Sequence, residues 1–108
     1  MSEIQVKIQH QIEQNPVVLY MKGTKDFPAC GFSARVVQIL HDLGVSFTDV
    51  DILEDAELRQ AIKDYSNWPT LPQLYINGEF IGGCDIVTEL YKSGELKKQL
   101  QAAGLCPL

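Results

Sequence analysis

Cys30-Gly31-Phe32-Ser33 has a single sulfur where a redox pair would carry two, with serine in the second cysteine's place. The run before it, Val17 to Lys22, is apolar and reads as a buried strand. The run after it, Gly31 to about Leu43, repeats apolar residues at helical spacing and stops at Gly44. The loop Gly23–Ala29 joins the two, so Cys30 falls at the end of a strand and the N-terminus of a helix. Free amide N–H groups and the positive end of the helix dipole favour thiolate there. Lys22, at the strand exit, adds an ammonium near the sulfur. The plainer reading of Cys30 is a small buried hydrophobe, a common fate of free cysteine; its place at a helix start weighs against that. A Cys-x-x-Cys pair can close a disulfide between its own sulfurs and a Cys-x-x-Ser cannot, so the thiolate must find its partner elsewhere.

The elements around this motif can be read from the same sequence. Ser2-x-x-Gln5 has the pattern of a capping box, and Ile4, Ile8 and Ile12 share one face of a helix ending at Asn15-Pro16. Ser46–Val50 reads as a second strand. Asp55 caps a third helix whose buried side is Leu58, Ala61, Ile62 and Tyr65. Gln73–Ile76 and Glu79–Gly82 flank Asn77-Gly78, the strongest hairpin signal in the chain. Asp85–Tyr91 and Glu95–Ala103 are helical, parted by Ser93-Gly94. A helix between the first two strands implies a parallel pair with a right-handed crossover, to which the hairpin adds two antiparallel strands. The expected fold is α/β and thioredoxin-like: a four-stranded mixed sheet with helices on both faces, one domain spanning residues 1–108.

Composition narrows the function. At 108 residues and 45 % hydrophobic, the chain can bury one modest core. A net charge of −5 with no basic cluster argues against nucleic acid as a partner. No apolar run is long enough for a bilayer, so no membrane partner is expected, and the polar start Met1-Ser2-Glu3 does not read as a secretory leader. Three cysteines do not make a disulfide framework and suit a reducing, cytoplasmic setting. His10 and His41 have no second donor at metal-ligand spacing. The acidic stretch Asp49–Glu57 reads as a solvated loop and helix start. Cys106, in the closing Gly104-Leu105-Cys106-Pro107-Leu108, reads as a mobile, inert thiol.

Lys22, Cys30-Gly31-Phe32-Ser33, Trp68-Pro69-Thr70-Leu71-Pro72-Gln73 and Gly82-Gly83-Cys84-Asp85 resemble, in this order and spacing, the motif set of the monothiol, CGFS-type glutaredoxins. The resemblance covers nearly the whole chain. It implies glutathione binding, a labile 2Fe–2S cluster held between two protomers, and delivery of clusters to recipient apoproteins, often with a BolA-like partner. It implies a cis Pro72 facing Cys30, with Leu71 offering its backbone N–H and C=O to an extended peptide such as glutathione. The amides of Cys84 and Asp85 would hold the γ-glutamyl carboxylate and the Asp85 side chain its ammonium; Asp85 reads alternatively as an N-cap only. Lys22 and Arg59 would hold the glycyl carboxylate, although an arginine on an amphipathic helix is usually a solvated face. Trp68 reads as core, and Phe32 as packing over the site.

A 2Fe–2S centre takes four thiolate-type ligands. Cys30 and one bound glutathione from each of two protomers supply them, which implies a cluster-bridged homodimer. The competing reading is a glutathione-dependent reductase of mixed disulfides, for which one thiol also suffices. The Gly23–Ala29 loop is longer than in simple Cys-x-x-Cys glutaredoxins. By resemblance it goes with poor reductase activity, so the chain reads as an iron–sulfur carrier with at most weak oxidoreductase activity.

Overall fold

The computed structural model describes residues 1–107; Leu108, last residue of the tail noted above, lies outside them. All of β1 (Val17–Met21) is buried, as a strand covered on both faces and rich in β-branched and large apolar residues should be. It runs parallel to β2 (Thr48–Asp51) and antiparallel to β3 (Gln73–Ile76), which pairs in turn with β4 (Glu79–Gly82). The resulting four-stranded mixed sheet has the order β2-β1-β3-β4. Asn77 and Gly78 turn the hairpin with φ of 49° and 82°, the positive values a two-residue turn of this hand requires.

Five helices among the described residues cover the sheet: α1 (Glu3–Gln14), α2 (Gly31–Asp42), α3 (Ala56–Ser66), α4 (Cys84–Ser93) and α5 (Glu95–Ala102). Alternation along β1 divides the core between them. Val17, Leu19 and Met21 pack with Val36, Val87 and Leu96 of α2, α4 and α5. Val18 and Tyr20 pack on the other face with Ile8, Ile62 and Tyr75, beneath α1 and α3. The Tyr20 hydroxyl donates to Gln11 Oε1 at 2.6 Å, and its ring meets Tyr75 edge-on. The capping box forms between Ser2 and Gln5. No helix among the described residues is long and apolar enough to cross a membrane.

The strand register positions the site. Tyr20 pairs with Gln73 and Leu74 with Gly82, so the exit of β1, the entry to β3 and the exit of β4 lie side by side at one end of the sheet. Lys22, Leu71-Pro72 and Gly83 are thereby brought together from three distant segments.

Five expectations need correction. The second strand runs over Thr48–Asp51, not Ser46–Val50, and pairs in register with Val18–Met21. The first strand stops at Met21, because the Lys22 N–H bonds to the Ser33 hydroxyl instead of to a neighbouring strand. The N-cap of α4 is Gly83, with Asp85 already inside the first turn, so Asp85 is not a cap. Asp49 and Asp51 are not simply solvated. Asp51 Oδ1 accepts the N–H groups of Gly23 (3.0 Å) and Leu53 (2.9 Å), and Asp49 Oδ2 accepts that of Lys25 at 2.8 Å. Both carboxylates thus hold the ends of loop segments against β2. Cys106 is held too: its thiol donates to the Leu43 carbonyl at 3.2 Å, and it packs against the α2–α5 side of the core.

Two glycines separate backbone freedom from close approach. Gly23 has φ of +88°, and a Cβ there would meet Phe27 O at 2.5 Å and Ala29 N at 2.6 Å; Gly94, at φ +84°, has open space around it. Gly94→Ala should cost about 1–2 kcal/mol from backbone conformation alone. Gly23→Ala should cost clearly more, since it must also displace the loop before Cys30. Denaturant midpoints of the two variants test this ordering, and equal losses would show the 23–29 loop to be pliable.

Candidate functional site

Cys30 is the N-cap of α2, its backbone extended at φ −149° and ψ 158°. Its sulfur takes the place of the usual capping oxygen: it accepts the Ser33 N–H at 3.4 Å and lies 3.4 Å from the Ser33 hydroxyl. Ser33 is completely buried, and its oxygen accepts the Lys22 N–H at 3.1 Å. A hydroxyl has one proton to give and two lone pairs to offer. Ser33 can therefore accept from Lys22 and donate to an ionised sulfur at the same time. Burial is the largest single influence on the thiol and pushes its pKa up. The Ser33 hydroxyl, the Ser33 and Phe32 N–H groups and, last, the Lys22 ammonium together outweigh it, holding Cys30 below the ordinary thiol range. Ser33 thus does more for the thiolate than Lys22 does, a role that the sequence motif shows only as an absent sulfur.

Beside the thiol runs a groove of about 580 Å³. The structure brings into its walls Lys22, Arg59, Leu71, Cys84 and Asp85, every groove residue expected from sequence. Cys30 stands next to the groove through its neighbours Lys22 and Phe32, the latter an exposed ring at the rim. The walls are polarised. Lys22, Arg59 and Lys63 carry positive charge, whereas Asp85 supplies the one carboxylate among the described lining residues. Lys63 was not singled out from sequence; its helical position one turn after Arg59 was the available signal.

Two features leave backbone donors free. The N-cap Gly83 makes no side-chain capping bond, so the first amides of α4, including those of Cys84 and Asp85, have no capping side chain to satisfy them. Leu71–Pro72 is cis, as the family resemblance implies, and the main chain of Leu71 makes no backbone hydrogen bond among the described residues. The segment is fixed from behind by Gln73, fully buried, whose amide donates to the carbonyls of Trp68 and Thr70, both at 3.2 Å. Gln73 also accepts from the Tyr75 hydroxyl. A glutamine at the head of an apolar strand was the sequence signal for this role. Trp68 is half-buried: its ring packs on Phe80 and also forms groove wall. The Cys84 thiol sits 4.0 Å from Thr88 Oγ1. Among the described residues, no group of three or more His, Cys, Asp or Glu side chains could hold a metal ion within one chain.

Known proteins resemble this chain over most of its length. The glutaredoxin family profile matches residues 17–81. The probable monothiol glutaredoxin 2 of Rickettsia typhi is 62 % identical over 94 residues, covering 87 % of this chain and 85 % of its own. Among solved structures, reduced apo GrxS14 of poplar superposes with a TM-score of 0.82 at 57 % identity, over 93 % of this chain and 92 % of that one. The buckwheat glutaredoxin–glutathione complex superposes with a TM-score of 0.78 at 26 % identity, covering 98 % of this chain and 99 % of that one.

Ser33→Ala should raise the pH midpoint of Cys30 alkylation, because the strongest hydrogen bond to the thiolate is lost. Lys22→Ala should raise it less. Ser33→Ala also leaves the Lys22 N–H without an acceptor, at a cost of about 1–3 kcal/mol in stability. Alkylation rates against pH, with denaturation curves, check both; a larger shift from Lys22→Ala would reverse the assignment.

Proposed function

The chain belongs to the monothiol glutaredoxin family, and from that premise we propose that it binds glutathione and carries a 2Fe–2S cluster. The cluster is cargo, bridged between two protomers and passed to recipient apoproteins in cluster assembly and iron homeostasis. The observation that carries the proposal is a single thiolate-favouring cysteine beside a groove with cations at one part of its wall and a carboxylate with free amides at another.

Glutathione suits that groove chemically. It is a short peptide with carboxylates at both ends and an ammonium at one. In the proposed pose, Lys22 and Arg59 take the glycyl carboxylate. The main chain of Leu71 pairs with the peptide as an added strand would. The amides of Cys84 and Asp85 take the γ-glutamyl carboxylate, and the Asp85 side chain takes the ammonium. Bound this way, the glutathione thiol lies toward Cys30.

Ligand counting supports the rest. A 2Fe–2S centre needs four thiolate-type ligands, and this chain offers few. Cys84 is half-buried against Thr88, and the Cys106 thiol is engaged with the Leu43 carbonyl. That leaves Cys30 and a bound glutathione from each of two protomers. Two exchangeable ligands make the assembly labile, which suits transfer rather than electron storage. A BolA-like protein in place of the second protomer is part of the same proposal, as is a reducing, cytoplasmic setting, which three free cysteines support. Glutathione-dependent reduction of mixed disulfides would use the same thiolate and is secondary here, because by family resemblance the long Gly23–Ala29 loop goes with poor reductase activity.

Reconstituted with iron, sulfide and glutathione, the protein should turn brown and dimerise with about one glutathione per protomer. Cys30→Ser should abolish this, Cys106→Ser should leave it intact, and Cys84→Ser should weaken it at most in part. A stable cluster formed without glutathione or any substitute thiol would sink the scheme. A further expectation concerns affinity. Charge-assisted hydrogen bonds contribute roughly 1.5–3 kcal/mol, so Lys22→Ala, Arg59→Ala and Asp85→Ala should each weaken glutathione binding by roughly ten- to a hundredfold. Calorimetry decides, and unchanged affinity in Arg59→Ala would return that residue to a solvated helix face.

A further inference from the structure

Asp51 is linked to the thiol through the main chain of Lys22. Asp51 closes β2, beside Met21 in the parallel pair. Its Oδ1 accepts two backbone N–H groups, those of Gly23 at 3.0 Å and Leu53 at 2.9 Å. Gly23 is buried and its positive φ reverses the chain immediately after Lys22. The peptide unit that the carboxylate holds is therefore the one joining Lys22 to Gly23. Both remaining main-chain groups of Lys22 are engaged in the site: its N–H donates to Ser33 Oγ at 3.1 Å, and its carbonyl accepts from Ala29 N at 2.9 Å. Ala29 precedes Cys30 directly, and Ser33 Oγ lies 3.4 Å from the Cys30 sulfur.

We infer that Asp51 is a positioning residue for the thiol site: by fixing the Lys22–Gly23 peptide it holds the Ser33 hydroxyl on Cys30 and aims the Lys22 side chain into the groove. Asp51 needs only an acceptor oxygen for this, not its charge. Geometry and charge can be told apart because they act in opposite directions. Losing a nearby negative charge alone would favour the thiolate and lower the Cys30 titration midpoint. Losing the clamp frees the Ser33 hydroxyl from the thiolate and raises it. Asp49 acts alongside, bonding the Lys25 N–H at 2.8 Å, but it holds the loop farther from the sulfur.

The test is the pH profile of Cys30 alkylation in Asp51→Ala and Asp51→Asn. Asp51→Ala should raise the midpoint and slow alkylation near neutral pH roughly threefold or more. Asp51→Asn keeps a carbonyl oxygen in place and should restore the wild-type profile or fall slightly below it in midpoint. An unchanged or lowered midpoint in Asp51→Ala, or an Asn variant as impaired as the Ala variant, overturns the inference. Should Asp51→Ala fail to fold, hydrogen exchange in the wild type decides: the Gly23 amide must be protected like those of β1, and rapid exchange overturns the proposal. A second arm rests on the glutathione reading above: Asp51→Ala should also weaken glutathione binding several-fold through the misplaced Lys22, and unchanged affinity would overturn that part. Absence of glutathione binding in the wild type would refute that reading while leaving the alkylation result to judge Asp51.

Discussion

The Ser33 hydroxyl accepts the Lys22 N–H at 3.1 Å and stands 3.4 Å from the Cys30 sulfur, and the site depends on those two contacts being made by one buried atom. Burial works against a thiolate, because a charge taken from water loses solvation. It also removes the competition of water for the hydroxyl, so that the bonds that remain are strong and fixed in direction. At Cys30 the second effect wins, since the sulfur is only half-buried while the serine is completely so. A second cysteine in that place would bring a weaker acceptor to the Lys22 N–H and a weaker donor to the Cys30 thiolate. Serine therefore contributes more than an inability to form a disulfide. It joins the end of β1 to the start of α2 at the point where the reactive atom sits.

The groove sets local charge against global charge. The chain carries a net −5, yet among the described residues three cationic side chains and a single carboxylate line the groove. Such a distribution disfavours adsorption of polyanions over the surface as a whole while still attracting a small anionic peptide to one place. The polarity comes from topology. Lys22 leaves β1, Arg59 and Lys63 project from α3, and Asp85 lies in the first turn of α4; antiparallel pairing of β3 with both β1 and β4 puts these segments at the same end of the sheet. The uncapped first turn of α4 adds amide donors near the carboxylate, so an ammonium and a carboxylate of the same residue could both be met there.

Local patterns were legible in the sequence and long-range bonds were not. The capping box of Ser2 and Gln5, the Asn77-Gly78 turn and the Asp55 cap of α3 each lie within a few residues, and each formed as expected. Cys30 at a helix start could be read for the same reason. The polar bonds that hold the site span much more chain: 11 residues from Lys22 to Ser33, 28 from Gly23 to Asp51 and 63 from Leu43 to Cys106. No periodicity carries such pairings, so Asp49 and Asp51 looked like solvated charge and Cys106 like a loose tail. Gln73 was hidden differently. It sits inside a recognised motif, yet its part is to satisfy the Trp68 and Thr70 carbonyls from the buried side, leaving Leu71 to face the groove.

The sulfur's surroundings also bear on which chemistry suits it. A thiol must lose its proton before it can bind iron, and a depressed pKa lowers that cost. The hydrogen bonds responsible raise the fraction of Cys30 that is ionised while making each thiolate less basic and intrinsically less nucleophilic. A reductase needs strong attack on a disulfide; a carrier needs a ligand that is ionised, reachable and not too tightly bound. Hydrogen bonds to a ligating sulfur draw electron density from the metal–sulfur bond and tune the cluster. In the proposed role, the Ser33 hydroxyl and the amides of the first turn of α2 would keep Cys30 ready to ligate and ready to let go. The Lys22 ammonium, the weakest of the influences on the thiol, is then free to serve the groove. Its main chain belongs to the sulfur and its side chain to the groove, and the division follows from where β1 ends.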